Sequence, residues 1–360
     1  MKFLLVGFFG ETYMPYIQHY EKILIKEDIK YDICYFDRYN TCASEVIQDI
    51  YGEKYFFHHK TNTRLTSKIF PVFQYLHEVK KRIKEKQYDK LIIFTTMPAV
   101  ILSPQLLIKY RGKYIFDYRD YTYEKYFLFR FYVSQVMRYS SFVTFSSRGY
   151  LKYYKKINNY IITHNIANDE NCIEEVIDLQ KKNKICIGYL GYIRYFEENK
   201  SIIKAFANDT KYSLNYIGSR FSDCDLESFC LNAHINNVYF QGTYQNIEKP
   251  ELYKKIDIIN SIYSLSSPEV CDALPNRIYD AALYKKPIIV AKGTFLAHIV
   301  KEYGLGIAVD PFQENLKECV ESYLAQFSPY QFLKNCRIFL KAVKEDQDIF
   351  NKQVVRFCRK

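Results

Sequence analysis

The chain of 360 residues has no tryptophan, no Cys-x-x-Cys pair among its ten cysteines, and no histidine at ligand spacing from a cysteine. The last two absences argue against a zinc ribbon or finger. Most cysteines sit in apolar runs, as Cys34, Cys186 and Cys319 do, and read as small hydrophobes kept reduced in the cytoplasm. Long apolar runs are also missing. The longest uncharged stretch, Leu91 to Ile108, is interrupted by Pro98 and Pro104, so it reads as a short strand and a helix rather than a membrane span. Met1 to Gly10 has an apolar centre but no small-x-small cleavage pattern, and Glu11 follows at once; a buried first strand is expected. The G-x-G-x-x-G fingerprint is absent, which argues against a tightly held dinucleotide.

Acidic residues are scarce in one half only. Residues 1–160 carry 26 Lys/Arg against 15 Asp/Glu, a surplus of 11, while residues 161–360 carry 25 of each. The whole formal charge of +11 therefore belongs to the first half, and residues 60–160 alone hold 20 basic residues against 6 acidic. Such a half is suited to an anionic partner. Nucleic acid is not expected, because no recognition motif accompanies the charge.

Short apolar runs alternate with longer amphipathic ones, and the pattern occurs twice. The first half reads as strands at Phe3–Phe8, Tyr31–Phe36, Lys90–Thr95, Tyr114–Asp117, Phe142–Ser146 and Tyr160–Thr163, with helices including Phe70–Lys86 and Tyr126–Tyr139. A polar stretch, Asn165–Lys184, reads as a linker. The second half restarts with strands at Lys184–Leu190, Ser213–Ile217, Val238–Gln241, Asp257–Ile262, Pro287–Ala291 and Gly306–Val309. Strand–helix alternation predicts an α/β protein of two doubly wound, Rossmann-like domains, whose ligands bind where strand C-termini meet helix N-termini. The expected domains are 1–165, joined by a C-terminal helix over about 345–360, and 166–344. The last stretch, Gln331–Phe357, reads as helical with a break near Glu345.

Four features bear on chemistry. Gly7-Phe8-Phe9-Gly10 closes the first strand, where Gly10 permits close approach of a ligand; a plain strand-to-helix turn serves equally. Gly191 ends a strand, and Arg194 and Lys200 follow, the latter expected just before a helix over Ser201–Asn208. Two cations there suit a diphosphate, although Glu197 and Glu198 offer them surface ion pairs instead. In Ser267 to Ala282, a polar loop leads to a helix expected to begin at Pro275, with Asp272 before it and Asp280 inside it. These carboxylates suit the two ends of a nucleotide sugar, or else a helix cap and a solvated face. Asp117 and Asp120 end a strand, where an acid or base for an acceptor would sit, or where Asp117 pairs with Arg119. Asp223-Cys224-Asp225 resembles a metal-binding Asp-x-Asp but reads as a helix cap. His58-His59 and His77 lack companions at ligand spacing, so no metal is assigned. His164 reads as packing or hinge.

These residues together resemble the C-terminal domain of glycosyltransferase family 4, retaining enzymes of the GT-B fold. That family's glycine turn with Arg-x5-Lys is similar to Gly191, Arg194 and Lys200. Its Glu-x7-Glu and Gly-Lys-Pro-Val-Ile resemble Asp272-x7-Asp280 and Lys285-Lys286-Pro287-Ile288-Ile289, with both glutamates replaced by shorter aspartates. Glu302-Tyr303-Gly304-Leu305-Gly306 looks like its closing Glu-x-Gly-x-Gly, and Tyr239 to Tyr244, with Gly242 and Thr243, like the turn beside the nucleobase. Leu274-Pro275-Asn276-Arg277 is similar to the Leu-Pro-Asn-Lys variants, whose basic residue points near phosphate. The likeness is continuous over about 185–310. In the first half it is architectural, apart from Tyr114–Asp120, which resembles the Asp-x-Arg-Asp strand end of related polysaccharide transferases.

The resemblance implies two GT-B domains facing a central cleft, with the acceptor on the first and the donor on the second. Arg194 and Lys200 would hold the diphosphate, Asp280 the ribose and Asp272 the transferred hexose, with Asp120 on the acceptor side. It implies a metal-independent retaining transferase using a nucleoside-diphosphate sugar as donor and no cofactor. The acceptor would be a lipid-linked glycan or oligosaccharide of bacterial capsule, O-antigen or exopolysaccharide synthesis. A nucleotide-sugar epimerase of the same fold and a non-catalytic assembly subunit with a decayed donor site are the competing readings. The basic first half, through segments such as Val79–Lys90, Lys152–Lys156 and Phe127–Phe131, suits the anionic inner face of the cell membrane.

Overall fold

The computed structural model describes residues 1–38, 42–58, 66–166 and 178–360. His59 and most of the expected linker lie outside the described residues. The chain divides into two units, Met1–Asn165 with Glu345–Lys360, and Ile166–Lys344.

In the first unit eight strands form one sheet: β1 (Lys2–Val6), β2 (Lys30–Asp37), β3 (Val46–Asp49), β4 (Gly52–His58), β5 (Lys90–Phe94), β6 (Tyr114–Tyr118), β7 (Phe142–Phe145) and β8 (Tyr160–Ile162). Their order is β3-β4-β2-β1-β5-β6-β7-β8. All neighbours are parallel except β3, which runs antiparallel to β4. Strands β1, β5, β6 and β7 are almost wholly buried, which is why they read as unbroken apolar runs.

The sequence placed six strands here and missed β3 and β4. The first is exposed along its length and the second only half-buried, so neither carries an apolar run. The basic segments Val79–Lys90 and Lys152–Lys156, expected to be helical, are less so: the helix Thr66–Lys86 stops before β5, and Lys152 lies in the last turn of a 3₁₀ segment, Arg148–Tyr153.

The second unit is a six-stranded parallel sheet: β9 (Ile185–Leu190), β10 (Tyr212–Ile217), β11 (Val238–Gln241), β12 (Ile258–Ser261), β13 (Ile288–Ala291) and β14 (Gly306–Val309), in the order β11-β10-β9-β12-β13-β14. In both sheets the order reverses beside the first strand, and open α/β sheets bind ligands at such a reversal.

One helix, Pro329–Arg359, serves both units without the break expected at Glu345. Phe332, Cys336, Phe339 and Val343 enter the second core, and Phe350, Val354 and Phe357 enter the first. Steps of three, four or seven keep them on one stripe. The polar run Lys344 to Asp348 that suggested a break contains no glycine or proline, so nothing in it stops a helix. Asp346 within it takes both Arg148 Nη2 contacts at 2.9 Å and lies 3.0 Å from His164 Nε2. His164 therefore holds the last helix to the end of the first sheet.

Candidate functional site

In the second unit, β9 is followed by Gly191, whose φ is +117°, and β10 by Gly218, with φ +141°. The Gly191 N–H donates to Ile217 O at 2.9 Å. A Cβ on Gly218 would lie 1.9 Å from Gly191 O, so the two turns interlock backbone to backbone. Tyr195 follows with φ +63° and opens the helix Phe196–Ala205. This helix starts earlier than expected because Glu197 and Glu198 fall in its first turn, where carboxylates suit the free N–H groups. Arg194 stands before the helix and Lys200 inside it.

The exposed Arg194 guanidinium lies 4.9 Å from the Tyr192 ring centre and makes no ion pair among the described residues. Lys200 is committed differently: its Nζ is 3.2 Å from Glu197 and packs on the rings of Phe196 and Phe229. Sequence reading missed the support beneath this turn. Asn199 Nδ2 donates to Arg194 O at 2.7 Å and Tyr195 O at 3.0 Å, and Asn260 on β12 donates to Asn199 Oδ1 at 3.0 Å. An asparagine inside the apolar run of β12 was the legible signal.

From β12 the chain passes through a helix, Pro268–Asp272, capped by Ser267. Asp272 ends that helix and is buried, rather than lying in a loop. Leu274 and Pro275 are half-buried and Asn276 is exposed. The next helix is Arg277–Leu283, two residues later than expected; Pro275 instead opens a turn in which Ile278 N–H reaches Pro275 O at 3.2 Å.

Arg277 is the residue on which this region converges. It is 7% exposed, and its Nε donates to Leu190 O at 2.7 Å. Its guanidinium carbon lies 3.6 Å from the Tyr189 ring centre and 5.5 Å from that of Tyr263. A Cβ on Gly191 would come within 3.3 Å of Nη2, so the glycine turn lies directly against the guanidinium. Nη1 is buried with no hydrogen-bond partner, and Arg277 makes no ion pair among the described residues. Burial disfavours the charge, but Tyr189 and Tyr263 more than offset it and hold the guanidinium above the ordinary arginine value. A buried cation with an unused donor edge is costly unless an anion completes it.

Asp280, one turn further along, is buried and already engaged. Lys249 Nζ lies 3.2 Å from its Oδ2, and Tyr253 donates to the same oxygen at 2.9 Å; Oδ1 has Lys249 only at 3.4 Å. Gly242 and Thr243 are exposed beyond β11, and a Cβ on Gly242 would meet nothing within 4 Å. Asp225 caps the helix Leu226–Asn232, accepting from Ser228 N–H at 3.1 Å.

In the first unit Gly10 has φ −67° and precedes a 3₁₀ turn, Glu11–Tyr13, so its conformation does not require glycine. Asp117 is fully buried and committed: Arg119 Nε lies 2.6 Å from Oδ1, Arg119 Nη2 donates to Oδ2 at 2.7 Å, and Tyr20 donates to Oδ2 at 2.8 Å. Asp120, next to this network, is partly buried and helps raise the Tyr16 hydroxyl above its ordinary value, after burial, the main cause. A cavity of 570 Å³ in this unit is lined by Phe57, Phe73, Leu76, Ile101 and, from the basic segment Val79–Lys90, Lys80 among others, and no residue assigned to donor or acceptor borders it.

His19 gives a pH prediction. Burial first, then the charges of Arg119 and Lys22, pull its imidazole down to about 4. Folded His19 stays neutral at pH values where the unfolded chain has gained a proton. Its contribution to stability is therefore complete above the ordinary imidazole value near 6.5 and lost as pH falls toward 4. The loss is on the order of 3 kcal/mol at most. His19→Gln should flatten the decline of the urea midpoint over that range; an equally steep decline would contradict the assignment.

The two parallel sheets make the GT-B fold, and comparison with solved structures agrees over the whole chain. Sucrose-phosphate synthase from Thermosynechococcus elongatus superposes with a TM-score of 0.73 at 13% identity, covering 98% of each chain. HepE of Anabaena, solved with UDP-glucose, gives 0.70 at 16% identity, covering 100% of this chain and 99% of that one. WaaG, a glycosyltransferase involved in lipopolysaccharide biosynthesis, gives 0.65 at 12% identity over 98% and 99%. No protein-family model and no curated protein sequence matches the chain.

Proposed function

We propose that the protein is a glycosyltransferase that takes a hexose from a nucleoside-diphosphate sugar, with Arg277 and Arg194 holding the diphosphate. The observation that carries this reading is the buried, unpaired Nη1 edge of Arg277 beside the Gly191 turn, at the sheet reversal of a GT-B fold. A diphosphate supplies the anion that this cation lacks, and its charge grows as the sugar–oxygen bond breaks, so fixed donors there lower the barrier. Asp272 is the proposed contact to the hexose and Asp280 to the ribose. Lys200 would join the diphosphate only by leaving Glu197. Asp120 is the proposed acceptor-side acid or base.

The reading extends to a retaining, metal-independent reaction on a lipid-linked or oligosaccharide acceptor of surface-glycan synthesis, carried out on the cytoplasmic face of the cell membrane. HepE, solved with UDP-glucose, favours the nucleotide-sugar donor, and WaaG, described for lipopolysaccharide biosynthesis, favours a surface-glycan acceptor. No helix among the described residues is long and apolar enough to cross a membrane, so the proposed association is peripheral.

Melting temperatures with UDP, GDP and ADP test the donor half. One diphosphate at a hundred times its Kd should stabilise the fold by about 2.7 kcal/mol, a rise of several degrees. Arg194→Ala should reduce that rise. If no diphosphate shifts the melting temperature and Arg194→Ala changes nothing, the reading fails.

A further inference from the structure

We infer that the exposed start of the helix Phe127–Tyr139, with the turn before it, is a membrane-docking surface for an anionic lipid layer. This rests on the membrane-associated part of the proposed function and names the element that makes the contact.

Six large apolar residues are exposed within ten positions: Tyr123, Tyr126, Phe127, Leu128, Phe131 and Tyr132, with Phe127 and Leu128 at 70% and 69%. Soluble surfaces usually show such residues singly, and a contiguous set marks an interaction surface. The helix buries its other face normally. Val133, Val136 and Met137 are buried, and the helix packs on the helices Thr96–Ile101 and Ser103–Ile108. The large apolar residues left outward all lie in its first turn and a half or just before it.

Charge selects the partner. Lys125 and Arg130 are exposed among the aromatic rings. The single carboxylate of the segment, Glu124, is fully buried and spent. It accepts from Tyr118 hydroxyl at 2.7 Å and from Thr122 N–H at 2.6 Å. Across Thr122–Tyr160 the chain has seven Lys/Arg and no acid but Glu124. Tyrosines with polar tips, apolar residues beside them and flanking cations suit the lipid–water boundary. A second copy of the chain fits less well: a twofold contact would set Lys125 and Arg130 against themselves with no exposed carboxylate to pair.

The test uses the full chain in co-sedimentation with vesicles of phosphatidylcholine, with and without phosphatidylglycerol. The protein should bind the anionic vesicles and be released as salt rises. Phe127→Ser/Leu128→Ser should weaken binding at least about tenfold. Lys125→Gln/Arg130→Gln should weaken it about twenty-five-fold, at about fivefold per cation. The nucleotide-induced melting shift should stay unchanged in both variants, which separates failure of this surface from failure of the donor site. Two results would overturn the inference. One is wild-type vesicle binding by Phe127→Ser/Leu128→Ser. The other is a solution dimer that this variant splits while neither form binds vesicles.

Discussion

Arg277→Met should lower kcat/KM for the sugar donor by about 10²–10³-fold, the size seen when a fixed donor to developing charge is removed. The nucleotide-dependent rise in melting temperature should largely vanish with it. Methionine fills much of the same space between Tyr189 and Tyr263, but it leaves Leu190 O without its donor, at a cost of about 1–3 kcal/mol in stability. The loss of binding must therefore be measured well below the variant's own melting temperature. Arg277→Lys should rescue little. One ammonium cannot both reach Leu190 O and present a second edge, and it loses the planar stack on Tyr189. Nucleotide binding by Arg277→Met equal to that of the native chain would remove Arg277 from the site.

Gly218→Ala should destabilise the second unit by about 3 kcal/mol or more. The new Cβ would meet Gly191 O at 1.9 Å, backbone against backbone, at a φ of +141° that side chains avoid. The contact cannot relax by a rotamer change, so the Gly191 turn must shift, and with it the backbone lying against Arg277. Nucleotide binding should fall along with the urea midpoint. Gly242→Ala is the control, because its Cβ would meet nothing within 4 Å. Its unfolding free energy should stay within about 0.5 kcal/mol of the native chain's. Equal midpoints for the two variants would show that the interlocked turns do not carry the site.

How much the sequence revealed depended on the range of the interactions involved. The central strands were legible because burial on both faces makes them apolar runs, as in β9, β12 and β13 of the second sheet. The exposed edge strand β3 and half-buried β4 carry no such pattern. The unbroken final helix was misread because the polar residues about Glu345 interrupt its apolar stripe without interrupting its backbone. Spacing along the chain singled out Gly191, Arg194, Arg277 and Asp280 as candidates. It did not locate what holds them. Tyr189 and Tyr263 meet at Arg277, and Asn199 meets Asn260, only because β9 and β12 are paired, and those strands lie about seventy residues apart. The ion pair offered by Glu197 is the one Lys200 makes, whereas spacing did not show that Lys249 and Tyr253 would already engage Asp280.

Donor consumption tests the central claim most directly. The purified chain is incubated with UDP-, GDP- and ADP-hexoses and a membrane-derived acceptor fraction, and release of nucleoside diphosphate is followed with product analysis. The account predicts release from one nucleotide class, dependent on acceptor, and its loss in Arg277→Met. Conversion of a donor to its epimer without release, or no binding and no turnover of any nucleotide sugar, would contradict it.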